Sequence, residues 1–251
     1  MIHREDRGGV AILRMQHGKA NAVDIDLFDD LNRALDEVES STAEALVLTG
    51  TGSIFSAGVN LFKVLEEGAP YLERFLPLLS TSVRRLFTLS MPAVAAVNGH
   101  AIAGGCILAA ACDRRVMARG RGKIGVSELR VGVPFPADAL ETLRFLLPDR
   151  TVQKLVYSGR TLDADAAHAI GLVEDVATAD EVLDRAVDAA LDLSSLSGDA
   201  FAVTKQHIRS ATVERMQHQA AELDPLVLEI WSRPDTLEGI RSFLEQTVGK
   251  K

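Results

Sequence analysis

Residues 91–113 read MPAVAAVNGHAIAGGCILAAACD, and few folds accept such a stretch. The apolar run 93–97 fits a strand covered on both faces. Turns through Asn98-Gly99 and Ala103-Gly104-Gly105 lead into a segment of alanine, leucine and cysteine, where a helix must lie very close to its neighbours. Two adjacent glycines at a strand-to-helix junction leave backbone N–H groups clear of side chains, with the positive end of the helix dipole behind them. That junction suits a negative charge developing on an oxygen.

The rest of the chain supplies a full core around this element, since 47% of its 251 residues are apolar. Cys106 and Cys112 share the same apolar segment without metal-ligand spacing, so both read as small core residues in a reducing compartment. A net charge of −8 argues against a nucleic-acid face or an anionic-membrane face. No apolar run is long enough to span a bilayer, and the N-terminal MIHREDRGG carries acids instead of a hydrophobic stretch. The expectation is a soluble cytoplasmic protein.

In chain order, residues 10–13 form a short strand, and apolar spacing from Leu27 to Val38 predicts a helix. A second buried strand, 45–48, runs into the small-residue loop GTGSIFSAGVN. Residues 61–68 are charged and irregular, and an apolar helix over 71–89 is expected to bend or break at Pro77. Strand is predicted at 113–118, the two prolines of VGVPFP exclude a regular helix, and helices resume at 137–147 and 164–170, with Gly171 as C-cap. Thr178 with Glu181, and Asp235 with Glu238, have capping-box spacing. Strands early and helices late indicate an α/β core over 1–197 and a helical C-terminal region over 198–251.

Several chemistries lack their signatures. There is no G-x-G-x-x-G, no phosphate-binding G-x-x-x-x-G-K-[ST], no G-x-S-x-G elbow and no zinc-binding histidine pair, so no metal is expected. Two glycine-bearing loops remain, 55–61 and 101–106, each following a strand. If they meet, one N–H from each can bind the same oxygen; small-residue loops also occur for purely structural reasons.

FSAGVNL resembles the F-x-A-G-A-D-L element of the crotonase (enoyl-CoA hydratase/isomerase) superfamily. PAVAAVNGHAIAGGCILAAACD is similar to that family's glycine-triplet element, SGRTLDADAAHAIGLVEDV to its later signature, and LEGIRSFLEQ to its terminal helix. The four elements fall in order along essentially the whole chain. The resemblance implies a spiral of β-β-α units with a helical C-terminal trimerisation region, and a homotrimer or dimer of trimers. It also implies an acyl-CoA substrate, with coenzyme A entering as part of that substrate and no further cofactor. By the same matching, the backbone N–H groups of Val59 and Gly104 are the oxyanion-hole donors. Lys19, Ala20, Ala22, Ala57, Asn60 and Leu61 lie along CoA, and Phe243 closes a neighbouring subunit's CoA site. Lys19 and Lys63 either meet phosphate or are solvated surface charges.

The departures bear on activity. Family hydratases carry two glutamates, and the first falls here on Ile107, while the second matches Glu128. Ala103 replaces one of the three glycines, and Asn60 replaces the usual aspartate. One carboxylate with an oxyanion hole suits double-bond isomerisation, in which Glu128 removes a proton from C2 and returns it at C4. Ile107 and Val133-Pro134-Phe135 would supply the apolar surroundings that raise its pKa. Read without the resemblance, Glu128 is one of 35 acids with an ordinary solvated or salt-bridged role. The alternatives are a hydratase that pairs Glu128 with Glu141 or Asp138, and a non-catalytic acyl-CoA binder; Asp138 also reads as a helix cap.

Overall fold

A computed structural model describes residues 1–248, and the basic tail Gly249-Lys250-Lys251 lies outside the described residues. The hairpin β1 (Ile2–Arg7) and β2 (Val10–Met15) turns on Gly8 and Gly9, at φ 60° and 88°, the left-handed pair that a two-residue loop requires. Helix α1 (Ile25–Glu39) starts at Asp24, whose carboxylate accepts the Leu27 N–H at 3.0 Å, and it buries the predicted Leu27, Phe28, Leu31, Ala34, Leu35 and Val38.

The middle of the chain winds three times through strand, strand and helix. The turns are β3 (Ala45–Thr49), β4 (Ile54–Ser56) and α2 (Leu61–Thr88); β5 (Ala93–Val97), β6 (His100–Ile102) and α3 (Gly104–Ala111); then β7 (Arg114–Ala118), β8 (Ile124–Gly125) and α4 (Glu128–Val131). Each turn gives its first strand to one sheet and its second strand to another. The larger sheet runs β1-β2-β3-β5-β7-β10, parallel except at the hairpin, and the smaller runs β4-β6-β8-β9. This is the spiral of β-β-α units that the resemblance implies, and it puts the exits of β4 and β6 side by side.

After α5 (Ala137–Leu146) and α6 (Asp149–Ser158) come β9 (Thr161–Leu162), α7 (Ala164–Ala169), β10 (Asp175–Ala177) and α8 (Val182–Ser194). The long α9 (Gly198–Ser232) and α10 (Pro234–Val248) form the C-terminal helical region. Strands β2, β3 and β5 are buried on both faces. Leu13, Leu46, Leu48, Ala95 and Val97 enter the main core, while Ile12, Val47, Val94 and Ala96 meet Val182, Ala186 and Ala190 of α8. Asp113 closes the 91–113 stretch and ties it to α9, accepting from Ala93 N–H (2.7 Å), Lys205 (2.7 Å) and Arg209 (2.8 Å).

Some expectations need correction. Residues 61–67 are helical, and α2 breaks at Gly68 (φ 63°, ψ −146°), not at Pro77. Only glycine takes that φ readily, and Pro70 sits in the first turn that follows, where its missing N–H removes no hydrogen bond. Pro77 keeps helical dihedrals. Thr178 and Glu181 pair as expected (2.7 Å), whereas Asp235 lies inside α10 and accepts from its neighbour Thr236.

Candidate active site

Three loops converge where the two sheets meet. After β2 the chain turns through Asn21, at φ 47°, whose side-chain amide donates to the carbonyls of Ile54 (3.3 Å) and Phe55 (3.1 Å). Ser56 Oγ returns a bond to the Asn21 carbonyl at 2.7 Å. The segment then runs beside the exit of β4: Ala57 N–H donates to Ala20, Val23 N–H to Gly58, and Asn60 N–H to Val23. This short parallel pairing uses the groups on either side of Val59, so the Val59 N–H points the other way and finds no acceptor among the described residues.

The loop after β6 arrives from the opposite side. A Cβ added to Gly58 would lie 2.6 Å from the Ile102 carbonyl and 2.8 Å from Ala103 Cβ, and one added to Gly105 would lie 2.4 Å from the Ser56 carbonyl. These contacts are possible only because both positions are glycine. Gly104 opens α3, and its N–H also lacks a protein acceptor among the described residues. The two small-residue loops therefore do meet, with two free amides at their junction.

Ala103 adopts φ 51° and ψ −121°, a backbone conformation disfavoured for any residue with a Cβ. Its side chain stands on the cavity wall. Replacing Ala103 by glycine should raise stability by about 1 kcal/mol. An unchanged denaturant midpoint would show that this conformation carries no strain.

Glu128 begins α4 directly after the smaller sheet and lies on the wall of the cavity under the two amides. Burial pushes its pKa up to about 7, against the opposing pull of the N–H groups of Glu128 and Ser127. Its Oε2 is buried without a hydrogen-bond partner. The open part of the cavity encloses about 230 Å³ between Ala57, Leu61, Ala103, Val131 and Phe243. Ile107 and Val133 are wall residues as predicted, Pro136 joins them, and Phe135 is not part of the wall. Pro134 contributes through its carbonyl, which accepts from Trp231 Nε1 at 3.0 Å.

The remaining predicted residues divide clearly. Ala20, Ala22, Ala57, Asn60 and Leu61 are brought together along the paired loops, and Lys19 stands exposed at their edge. Lys63 is instead held by Asp26 (2.6 Å) and Asp24 (3.3 Å), and the hydrogen bond to Asp26 holds its pKa well above the usual lysine value despite partial burial. Asp138 does not cap a helix: it is buried and bound through both oxygens by Arg84, at 2.6 and 2.8 Å. Glu141 is buried between Arg144 (2.9 Å) and Arg215 (2.7 Å). Neither acid reaches the cavity wall: Asp138 faces Arg84 of α2, and Glu141 faces Arg144 of its own helix and Arg215 of α9. Phe243 lines the cavity of its own chain, where α10 folds back onto α2 and α4.

Two contributors escaped the sequence reading. Trp231, at the end of α9, walls the cavity on both sides of Glu128. Asp24 links the loops by accepting from His17 (3.0 Å), Leu27 N–H and Asn60 (3.2 Å); burial raises its pKa, and these donors outweigh burial to keep it low. The Asn21-Ala-Val-Asp24 turn before an amphipathic helix was the available signal for the second. Among the described residues there is no cluster of metal-binding side chains, and no helix is long and apolar enough to cross a membrane.

Comparison with known proteins bears on the family and the fold. A family model described as enoyl-CoA hydratase/isomerase matches residues 5–249. The chain is 31% identical to a putative enoyl-CoA hydratase of Thermus thermophilus, over 96% of each chain. It is 24% identical to the mitochondrial enoyl-CoA delta isomerase 1 of Homo sapiens, over 100% of this chain and 84% of that one. The crystal structure of human mitochondrial delta3-delta2-enoyl-CoA isomerase superposes with a TM-score of 0.95 at 23% identity, covering 100% of this chain and 99% of that chain, and so shares its fold.

Proposed function

The chain belongs to the enoyl-CoA hydratase/isomerase family, and from that premise we propose that it moves the double bond of a 3-enoyl-CoA to the 2-position with Glu128 as the single proton carrier. One observation carries the choice of reaction. Among the described residues, Glu128 is the only titratable side chain on the cavity walls.

The ionised carboxylate takes a proton from C2, and the electrons of that C–H bond delocalise onto the thioester oxygen. The N–H groups of Val59 and Gly104 hold the resulting dienolate; such donors are worth about 10²–10³ in rate each. Glu128, now neutral, returns the proton at C4 as the dienolate electrons close the C2–C3 double bond. Proton and electrons balance without water or a cofactor, and coenzyme A enters only as part of the substrate. A pKa of about 7 suits a group that must act first as base and then as acid. Lys19 is the candidate for the CoA phosphates, and Ala20, Ala22, Ala57, Asn60 and Leu61 for the rest of the carrier.

Hydration is the competing reading, favoured by the hydratases among the relatives. It needs a water held opposite Glu128, and apolar Ile107 occupies the position where family hydratases keep their other glutamate. Ser127 is the other polar side chain on the wall. Purified protein offered a 3-enoyl-CoA and, separately, crotonyl-CoA should isomerise the first at least about ten-fold faster than it hydrates the second. Faster hydration would overturn the proposal.

A further inference from the structure

The cavity has two unequal parts on either side of the Val59–Glu128 pair. The open part faces Ala57, Leu61 and Phe243, on the side assigned above to the CoA arm. The inner part is bounded by Phe28, Leu76, Leu79, Val83, Ile107 and Trp231, and encloses about 20 Å³. On that measure a single water needs about 10–15 Å³, so the inner part has room for one small group. Its walls are held firmly. Leu76, Leu79 and Val83 repeat along one face of α2 and belong, with Phe28 and Trp231, to the main core.

Apart from Glu128 the inner walls carry no charged side chain among the described residues, and the one other hydrogen-bonding group, the Trp231 indole N–H, is taken by the Pro134 carbonyl. With the thioester oxygen at the two amides and C2 against Glu128, the inner part receives C3 and C4. Small rotamer adjustments admit little more. A carboxylate at the far end of the acyl chain would lose its hydration there and meet no cation.

We propose that the acyl compartment takes short, uncharged acyl groups of about four to six carbons, and that Leu76, Leu79 and Val83 set that limit. The inference rests on the acyl-CoA reading of the site but not on which enolate reaction follows, so its test uses binding instead of turnover. Trp231 is the only tryptophan in the chain and lies on the compartment wall, so its fluorescence reports occupancy directly.

Titration of the intact protein with saturated acyl-CoAs from acetyl to decanoyl should show affinity rising about four-fold per added methylene, then levelling or falling beyond butyryl to hexanoyl. Adipyl-CoA should bind at least about ten-fold more weakly than hexanoyl-CoA. Leu79→Ala should move the break outward by about two carbons, since an apolar cavity of ~150 Å³ holds a ligand the size of benzene. Leu79→Val should give a smaller shift in the same direction if the alanine variant folds poorly. Affinity that keeps rising to decanoyl in the unmodified protein overturns the inference and leaves the acyl-CoA reading intact. A break that stays in place in both Leu79 variants overturns the assignment of the limit. Failure to bind any member of the series refutes the acyl-CoA reading, and this inference with it.

Discussion

Replacing Glu128 by glutamine should lower kcat on a 3-enoyl-CoA by about 10³-fold while leaving acyl-CoA binding nearly unchanged. The amide keeps the shape of the side chain and cannot carry the proton. The unmodified protein should show kcat/KM rising with pH and levelling above about 7, because the free enzyme needs the ionised carboxylate. The same group makes a stability prediction of opposite sense. Burial raises the folded-state pKa from 4.5 to about 7, so between those values the folded chain holds more protons than the unfolded chain. Stability therefore falls as pH rises through that window, by about 3 kcal/mol for this one group, and stays lower above it. Glu128→Gln should lose that slope and be the more stable protein at alkaline pH. Denaturant titrations at acid and alkaline pH, run beside the turnover assay, check both halves. Retained turnover in the variant would remove Glu128 from the chemistry.

Gly58→Ala should lower kcat by about 10²–10³-fold, the value of one oxyanion donor. The position has φ 85°, and an added Cβ would meet the Ile102 carbonyl at 2.6 Å and Ala103 Cβ at 2.8 Å. Both obstacles belong to the loop that carries Gly104, so relief must come by parting the two loops or twisting Val59. Either movement misplaces a donor N–H before it disturbs the carboxylate. The pH dependence of the residual rate should therefore stay where it is in the unmodified protein, which separates this defect from that of Glu128→Gln. Destabilisation of about 1–3 kcal/mol should accompany it. A variant with normal kcat would mean that the close approach of the loops does not position the donors.

The parts of the fold legible in the sequence are those whose local pattern and long-range role agree. The apolar run 93–97 and the Gly104-Gly105 junction are strand and helix start by composition alone, and the spiral holds them where the small residues require. The meeting of the two loops was legible as a possibility, because glycines at both sites admit close approach. Features set by distant partners were not legible. Asp138 looks like a helix cap in isolation, and only the fold brings Arg84 to it. Trp231 belongs to a long polar helix whose charged residues Lys205 and Arg209 are themselves buried against Asp113, so its pattern does not single out one aromatic as a wall of the site. Proline is the stronger general signal for a break in α2, yet a glycine at φ 63° overrides Pro77, eight residues ahead of Leu76, the first leucine of the inner wall. Strand β1 was missed because an exposed edge strand has no need of apolar residues, and its charges discourage pairing with other chains.

The return of α10 over its own cavity has a consequence for how defects are shared. Trp231 and Phe243 close the same polypeptide's Glu128, so every residue the proposed reaction uses is encoded in one copy. Mixing a Glu128→Gln chain with a chain lacking α10 should therefore restore no turnover, and restored turnover in the mixture would show that the helices are exchanged between copies.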